Sequence, residues 1–82
     1  MPHVIVKMYP GRTTEQKNNL AKAITECVTK IANCEDRSVS LAIEEISAED
    51  WPEKVYRPDI LEKEETLLKR PGYNPFNAQM AR

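Results

Sequence analysis

The sequence predicts an α/β fold built on a parallel βαβ unit, and three observations predict it. Two short segments, His3–Met8 and Ser38–Ile46, alternate in polarity as half-buried strands do, the first of them rich in β-branched residues. Between them runs one long amphipathic pattern, from Thr14 to about Ala32. A connection of that length is what a parallel pair requires, and such crossovers are right-handed in nearly all cases.

Taken in order, the first strand places Val4, Val6 and Met8 on one face and His3, Ile5 and Lys7 on the other. Tyr9-Pro10-Gly11-Arg12 supplies turn chemistry, and Thr13 followed by Gln16 is a capping-box signature for a helix start. In the helix Leu20, Ala23, Ile24, Cys27, Val28 and Ile31 recur at spacings of three and four, which assigns Cys27 to the apolar stripe as a small buried hydrophobe. Asn33 is the expected stop. The second strand sets Val39, Leu41 and Ile43 against Ser40, Ala42 and Glu44. One helix covers one sheet face only, and Ile5 and Ala42 make the other partly apolar, so that face is expected to pack on another copy of the chain.

Ser47 to Pro52 reads as a turn or short helical start whose Trp51 needs partial cover. Pro58 disfavours a helical Arg57, so a second, shorter helix is expected after it, carrying Ile60, Leu61, Leu67 and Leu68. The run Glu62 to Glu65 is its wet side, and Pro71-Gly72 its end. Residues from about 74 to 82 are expected to form a tail or an arm crossing onto a neighbouring subunit. No repeat or linker divides the chain, so residues 1–82 are read as a single domain.

Composition excludes several functions. The 82 residues carry twelve Lys plus Arg against thirteen Asp plus Glu, scattered without a basic stripe, so no nucleic-acid partner is expected. The longest apolar runs are three residues, as in Val4-Ile5-Val6, which provides neither a membrane span nor a secretory leader; a cytoplasmic protein without a membrane partner is expected. Cys27 and Cys34 would lie about 10.5 Å apart along a continuous helix, too far for a bridge. With His3 the sole histidine and no Cys-x-x-Cys spacing, a metal site lacks ligands. A chain this short buries only about 60% of its unfolded surface, and the route left for supplementing such a core is a homo-oligomer.

Ordinary catalytic constellations are missing, and what stands out is Pro2 directly after Met1. Met before a small residue is a processing context, and removing it would leave proline with a free secondary amine. Such an amine becomes a general base when an apolar setting or nearby cations destabilise its ammonium form and lower its pKa toward neutrality. The start of a half-buried strand is a setting of that kind. His3 adjoins it and is given no role.

Pro2-His3, Glu15-Gln16-Lys17, Leu20-Ala21, Ile24-Thr25, Ser38-Val39-Ser40, Trp51 and Lys69-Arg70-Pro71-Gly72-Tyr73 make the chain resemble, over nearly its whole length, the 4-oxalocrotonate tautomerase family and its small dimeric PptA-like subgroup. The resemblance implies a tautomerase-type βαβ fold in a sheet-packed oligomer, here a homodimer, and an enzyme that needs no cofactor. It implies enol-keto tautomerisation of a small 2-oxo acid such as phenylpyruvate, with Pro2 as catalytic base. By position, Arg12 corresponds to an arginine that grips a substrate carboxylate and Trp51 to an aromatic wall, while Ser40 stands where hexameric members carry a second arginine. For Arg12 the plain alternative is a solvated charge near a helix start, and for Trp51 it is cover for the core or a dimer interface. Two other functions stay open: a hydratase, dehalogenase or decarboxylase of the same fold using a protonated Pro2, and a noncatalytic oligomeric interaction protein.

Overall fold

The computed structural model describes residues 1–76, and these divide into two compact units, residues 1–45 and the part from Ile46 onward. The expected arm from about residue 74 therefore lies mostly outside the described residues.

The first unit is the βαβ. Strands β1 (His3–Met8) and β2 (Ser40–Glu45) pair in parallel, with His3 opposite Ser40, Val4 opposite Leu41 and Val6 opposite Ile43. Helix α1 (Thr14–Ile31) connects them. It starts where the sequence places it because Thr13, extended at φ −71° and ψ 162°, accepts the Gln16 backbone N–H on its hydroxyl at 3.0 Å, while Gln16 Oε1 accepts the Thr13 N–H at 2.8 Å. Just before it, Gly11 takes φ 125°, a left-handed value that a side chain would resist. The helix stops at Asn33, the one non-glycine residue at positive φ (57°) among those described, and Cys34 N–H reaches back to Thr29 O at 3.2 Å. A salt bridge from Lys17 to Glu45, at 3.3 Å, joins the first turns of α1 to the end of β2.

Val4, Val6, Met8, Leu41 and Ile43 are half-buried, and so are Leu20, Ile24 and Val28 of α1. The rest of the apolar stripe departs from expectation. Ala23 and Cys27 are exposed, and Ile31 is 82% exposed, so Cys27 is not the buried residue that periodicity predicts. Two strands about 4.8 Å apart are narrower than the stripe, and they cover only its Leu20-Ile24-Val28 side. On the far sheet face Ile5 is 48% exposed, while Lys7 and Ala42 are half-buried. β2 begins at Ser40, two residues later than expected, because Asp36–Ser38 closes a 3-10 turn through Ser38 N–H to Glu35 O at 3.0 Å and Val39 N–H to Asp36 O at 3.1 Å.

In the second unit a turn at Ser47 leads into a π-helix, Pro52–Leu61, and a 3-10 turn, Glu64–Thr66. The expected helix after Pro58 is thus displaced toward the N-terminus: Pro58 lies inside the helix, which ends at Leu61, ten residues before Pro71, and Leu68 is wholly exposed. The backbone closes over five residues, Glu62 N–H to Arg57 O at 3.0 Å, and this wider winding relieves the clash that a pyrrolidine ring makes with the carbonyl four residues back. Val55 and Tyr56, each 5% exposed, are the buried hydrophobic side chains among the described residues. Among those residues no helix is long and apolar enough to cross a membrane.

Candidate active site

Pro2 immediately precedes β1, and the parallel register sets the start of β2 beside it. Ser40 donates its backbone N–H to the Pro2 carbonyl at 3.1 Å, which fixes the backbone that carries the Pro2 nitrogen. The Ser40 hydroxyl also contacts Nδ1 of His3 at 2.6 Å. One residue of β2 therefore holds both Pro2 and His3. Pro2 is half-buried, whereas Met1 before it is 97% exposed, so losing Met1 would remove almost no packing and would turn an amide nitrogen into an amine. An amide nitrogen has no basic lone pair; the amine can take a proton.

Arg12 is not brought to this end of the sheet. It follows the turn beyond the far end of β1, and the six residues of that strand rise about 20 Å. It is exposed on the approach to the α1 N-cap.

Trp51 belongs to the second unit, half-buried, where its indole N–H donates to the Tyr73 hydroxyl at 2.8 Å. Tyr56 donates its own hydroxyl to the Tyr73 carbonyl at 3.0 Å, and its ring meets those of Tyr73 and Phe76 at centroid distances of 5.4 and 5.9 Å. Arg57 lies 4.5 Å over the Phe76 ring and forks onto the Glu53 carboxylate at 2.9 and 3.1 Å. The hydrogen bond from Arg57, with a smaller contribution from its charge, holds the Glu53 carboxyl below the usual glutamate range, against a modest opposing effect of desolvation.

Two of these relationships escape the sequence pattern. The contact of His3 with Ser40 spans 37 positions and is visible only once the strands are set in register; the signal for it is that both strands start within a residue of a polar side chain. The role of Tyr73 joins residues 17 and 22 positions apart with no periodicity to announce it.

Comparison with known proteins identifies the class of small α/β enzymes to which this parallel βαβ unit belongs. A family model described as Tautomerase enzyme matches residues 2–53. A probable tautomerase from Xylella fastidiosa is 41% identical over 73 residues, covering 89% of each chain, and a tautomerase PptA from an Enterobacter species is 40% identical over 75 residues, covering 90% of this chain and 99% of its own. Among solved structures, YwhB, a homologue of 4-oxalocrotonate tautomerase, is 41% identical with a TM-score of 0.55 over 56% of this chain and 75% of its own. A heterohexameric 4-oxalocrotonate tautomerase from Chloroflexus aurantiacus is 30% identical with a TM-score of 0.61 over 66% and 87%. The chain belongs to the tautomerase family. It is an enzyme of the tautomerase type, with the fold its sequence predicts.

Proposed function

We propose that this enzyme interconverts the enol and keto forms of a small 2-oxo acid, with phenylpyruvate as the representative aryl member, and that the Pro2 amine freed by loss of Met1 is its general base. The observation that carries the reading is the placement of Pro2: half-buried at the head of β1, its carbonyl held by Ser40 N–H at 3.1 Å, and capped by a Met1 that touches almost nothing. Neutral Pro2 takes the enol hydroxyl proton. The O–H electron pair becomes the carbonyl π bond, and the C2=C3 pair takes the proton back from the same nitrogen at C3. The net change is a transfer of one proton from oxygen to carbon, and it calls for no cofactor. An α-amino group titrating near 8 is about a tenth unprotonated at pH 7; one unit of depression makes about half of it available and two units about nine tenths.

The exposed Ile5 supports packing of this sheet face on another copy, and in this reading that assembly is a homodimer and its setting the cytoplasm. Arg12 then meets a substrate carboxylate at the Pro2 of the second copy, since one strand length separates it from its own. Trp51, its N–H already taken by Tyr73, offers an apolar ring as a substrate wall.

The test is phenylenolpyruvate ketonisation by protein whose intact mass proves Met1 absent, beside protein retaining it and a Met1-free Pro2→Ala variant. Activity confined to the processed wild type is expected, with a loss of roughly 10²- to 10⁴-fold in the variant. Full activity with Met1 in place, or in Pro2→Ala, overturns the reading.

A further inference from the structure

We propose that His3 is a second catalytic residue, the donor that receives the substrate's 2-oxo oxygen as it becomes an enolate, and that Ser40 is the positioning residue that sets its tautomer. The proposal rests on Pro2 acting as the base.

Its starting point is the geometry at the head of the sheet. His3 and Ser40 are register partners, and the ring Nδ1 lies 2.6 Å from Ser40 Oγ. Both residues are exposed in the chain, so this short bond contributes little to a core, yet it immobilises an imidazole on the residue next to Pro2. The same Ser40 grips the Pro2 carbonyl through its N–H at 3.1 Å. The Pro2 backbone and the His3 imidazole are thus tied by hydrogen bonds to the same residue of β2.

A base alone is a poor catalyst for this reaction. When the amine takes the enol proton, the oxygen acquires a full negative charge before C3 is protonated, and a fixed donor aimed at that oxygen lowers the barrier because it binds the enolate more tightly than the neutral enol or ketone. In the proposal the Ser40 hydroxyl is the donor and Nδ1 the acceptor; a neutral imidazole then carries its proton on Nε2 and presents it outward as the donor to the substrate. No proton leaves His3 in the step: Nε2–H stays bonded to nitrogen throughout, and the proton that moves is the one Pro2 carries from oxygen to C3.

His3 is the only histidine, so ring nitrogen NMR of the Met1-free protein reads its tautomer without assignment ambiguity. The expected spectrum of the neutral ring shows protonated Nε2 and acceptor Nδ1, and in Ser40→Ala the two tautomers mix. In phenylenolpyruvate ketonisation, His3→Ala is expected to lower kcat by at least about tenfold with KM little changed, since the lost contact is one made chiefly by the enolate. His3→Gln, which keeps an N–H at the Nε2 position, should recover most of that loss, and Ser40→Ala should fall between. The opposite tautomer in the wild type, an unchanged kcat in His3→Ala, or a His3→Gln no better than His3→Ala overturns the proposal. An unaffected His3→Ala beside a dead Pro2→Ala overturns it alone; an inactive wild type, or an active Pro2→Ala, brings down the Pro2 reading and this proposal together.

Discussion

Pro2 and Arg12 stand at opposite ends of β1, one at the entry of the strand and the other past the turn that follows its exit. A small 2-oxo acid is shorter than the roughly 20 Å that six strand residues span, so the two cannot grip one substrate within a chain. Pro2→Ala and Arg12→Ala proteins, each nearly inactive alone, should therefore complement when refolded together. In the proposed homodimer, random mixing makes half of the dimers mixed, with one of the two sites in each intact, giving about a quarter of wild-type activity. Activity of the mixture no greater than the sum of its parts would place Arg12 outside the site.

The start of α1 rests on a reciprocal pair of hydrogen bonds between Thr13 and Gln16. Thr13→Ala removes the acceptor for the Gln16 N–H and should destabilise the protein by about 1 kcal/mol. Urea unfolding at fixed protein concentration measures it, and Gln16→Ala in the Thr13→Ala background should add less than it does alone because the two side chains serve one cap.

The Glu53 carboxyl titrates below the ordinary glutamate range, held there by its hydrogen bonds from Arg57. A depressed native value means that the unfolded chain binds the proton first as pH falls. The contribution is full above the ordinary glutamate range, declines as pH drops through the native value, and is absent below it. Thermal melts should accordingly separate wild type from Glu53→Gln near neutrality and converge in acid. The pair is exposed, so the separation should be small and should shrink with added salt.

Trp51 is the only tryptophan, and its indole N–H is held by the Tyr73 hydroxyl. Tyr73→Phe deletes that acceptor while leaving the ring against Tyr56, and should cost about 0.5–1.5 kcal/mol. The intrinsic fluorescence of Trp51 should shift in the folded variant and match wild type once both are unfolded in urea.

Most of the first unit was legible in the chain. The boundaries of β1 and α1 follow from polarity alternation and a local cap, both of which act over fewer than five residues, and Asn33 ends the helix by its tolerance of a left-handed backbone. The second unit was not. Pro58 argues locally for a break, but the helix continues through it by changing its winding, and what holds that segment is a set of ring contacts and hydroxyl bonds from Tyr56 to Tyr73 and Phe76. Contacts of that separation leave no period in a sequence. Cys27 shows the same limit in reverse, since helical periodicity marks an apolar face but does not say how wide the covering sheet will be. For the site, Pro2 is conspicuous from its position alone, whereas the value of His3 and Ser40 depends on a register that only a folded pair of strands defines.

Every residue of the βαβ unit is half-buried or exposed. In the proposed homodimer that sparse interior makes dilution act as a denaturant: lowering the amount of protein removes the partner surface and with it part of the driving force for folding. Specific activity should then rise with enzyme concentration before levelling off, and the melting temperature should climb with it. The amount of the enzyme a cell makes would set not only how many active sites exist but what fraction of the chains are folded enough to have one.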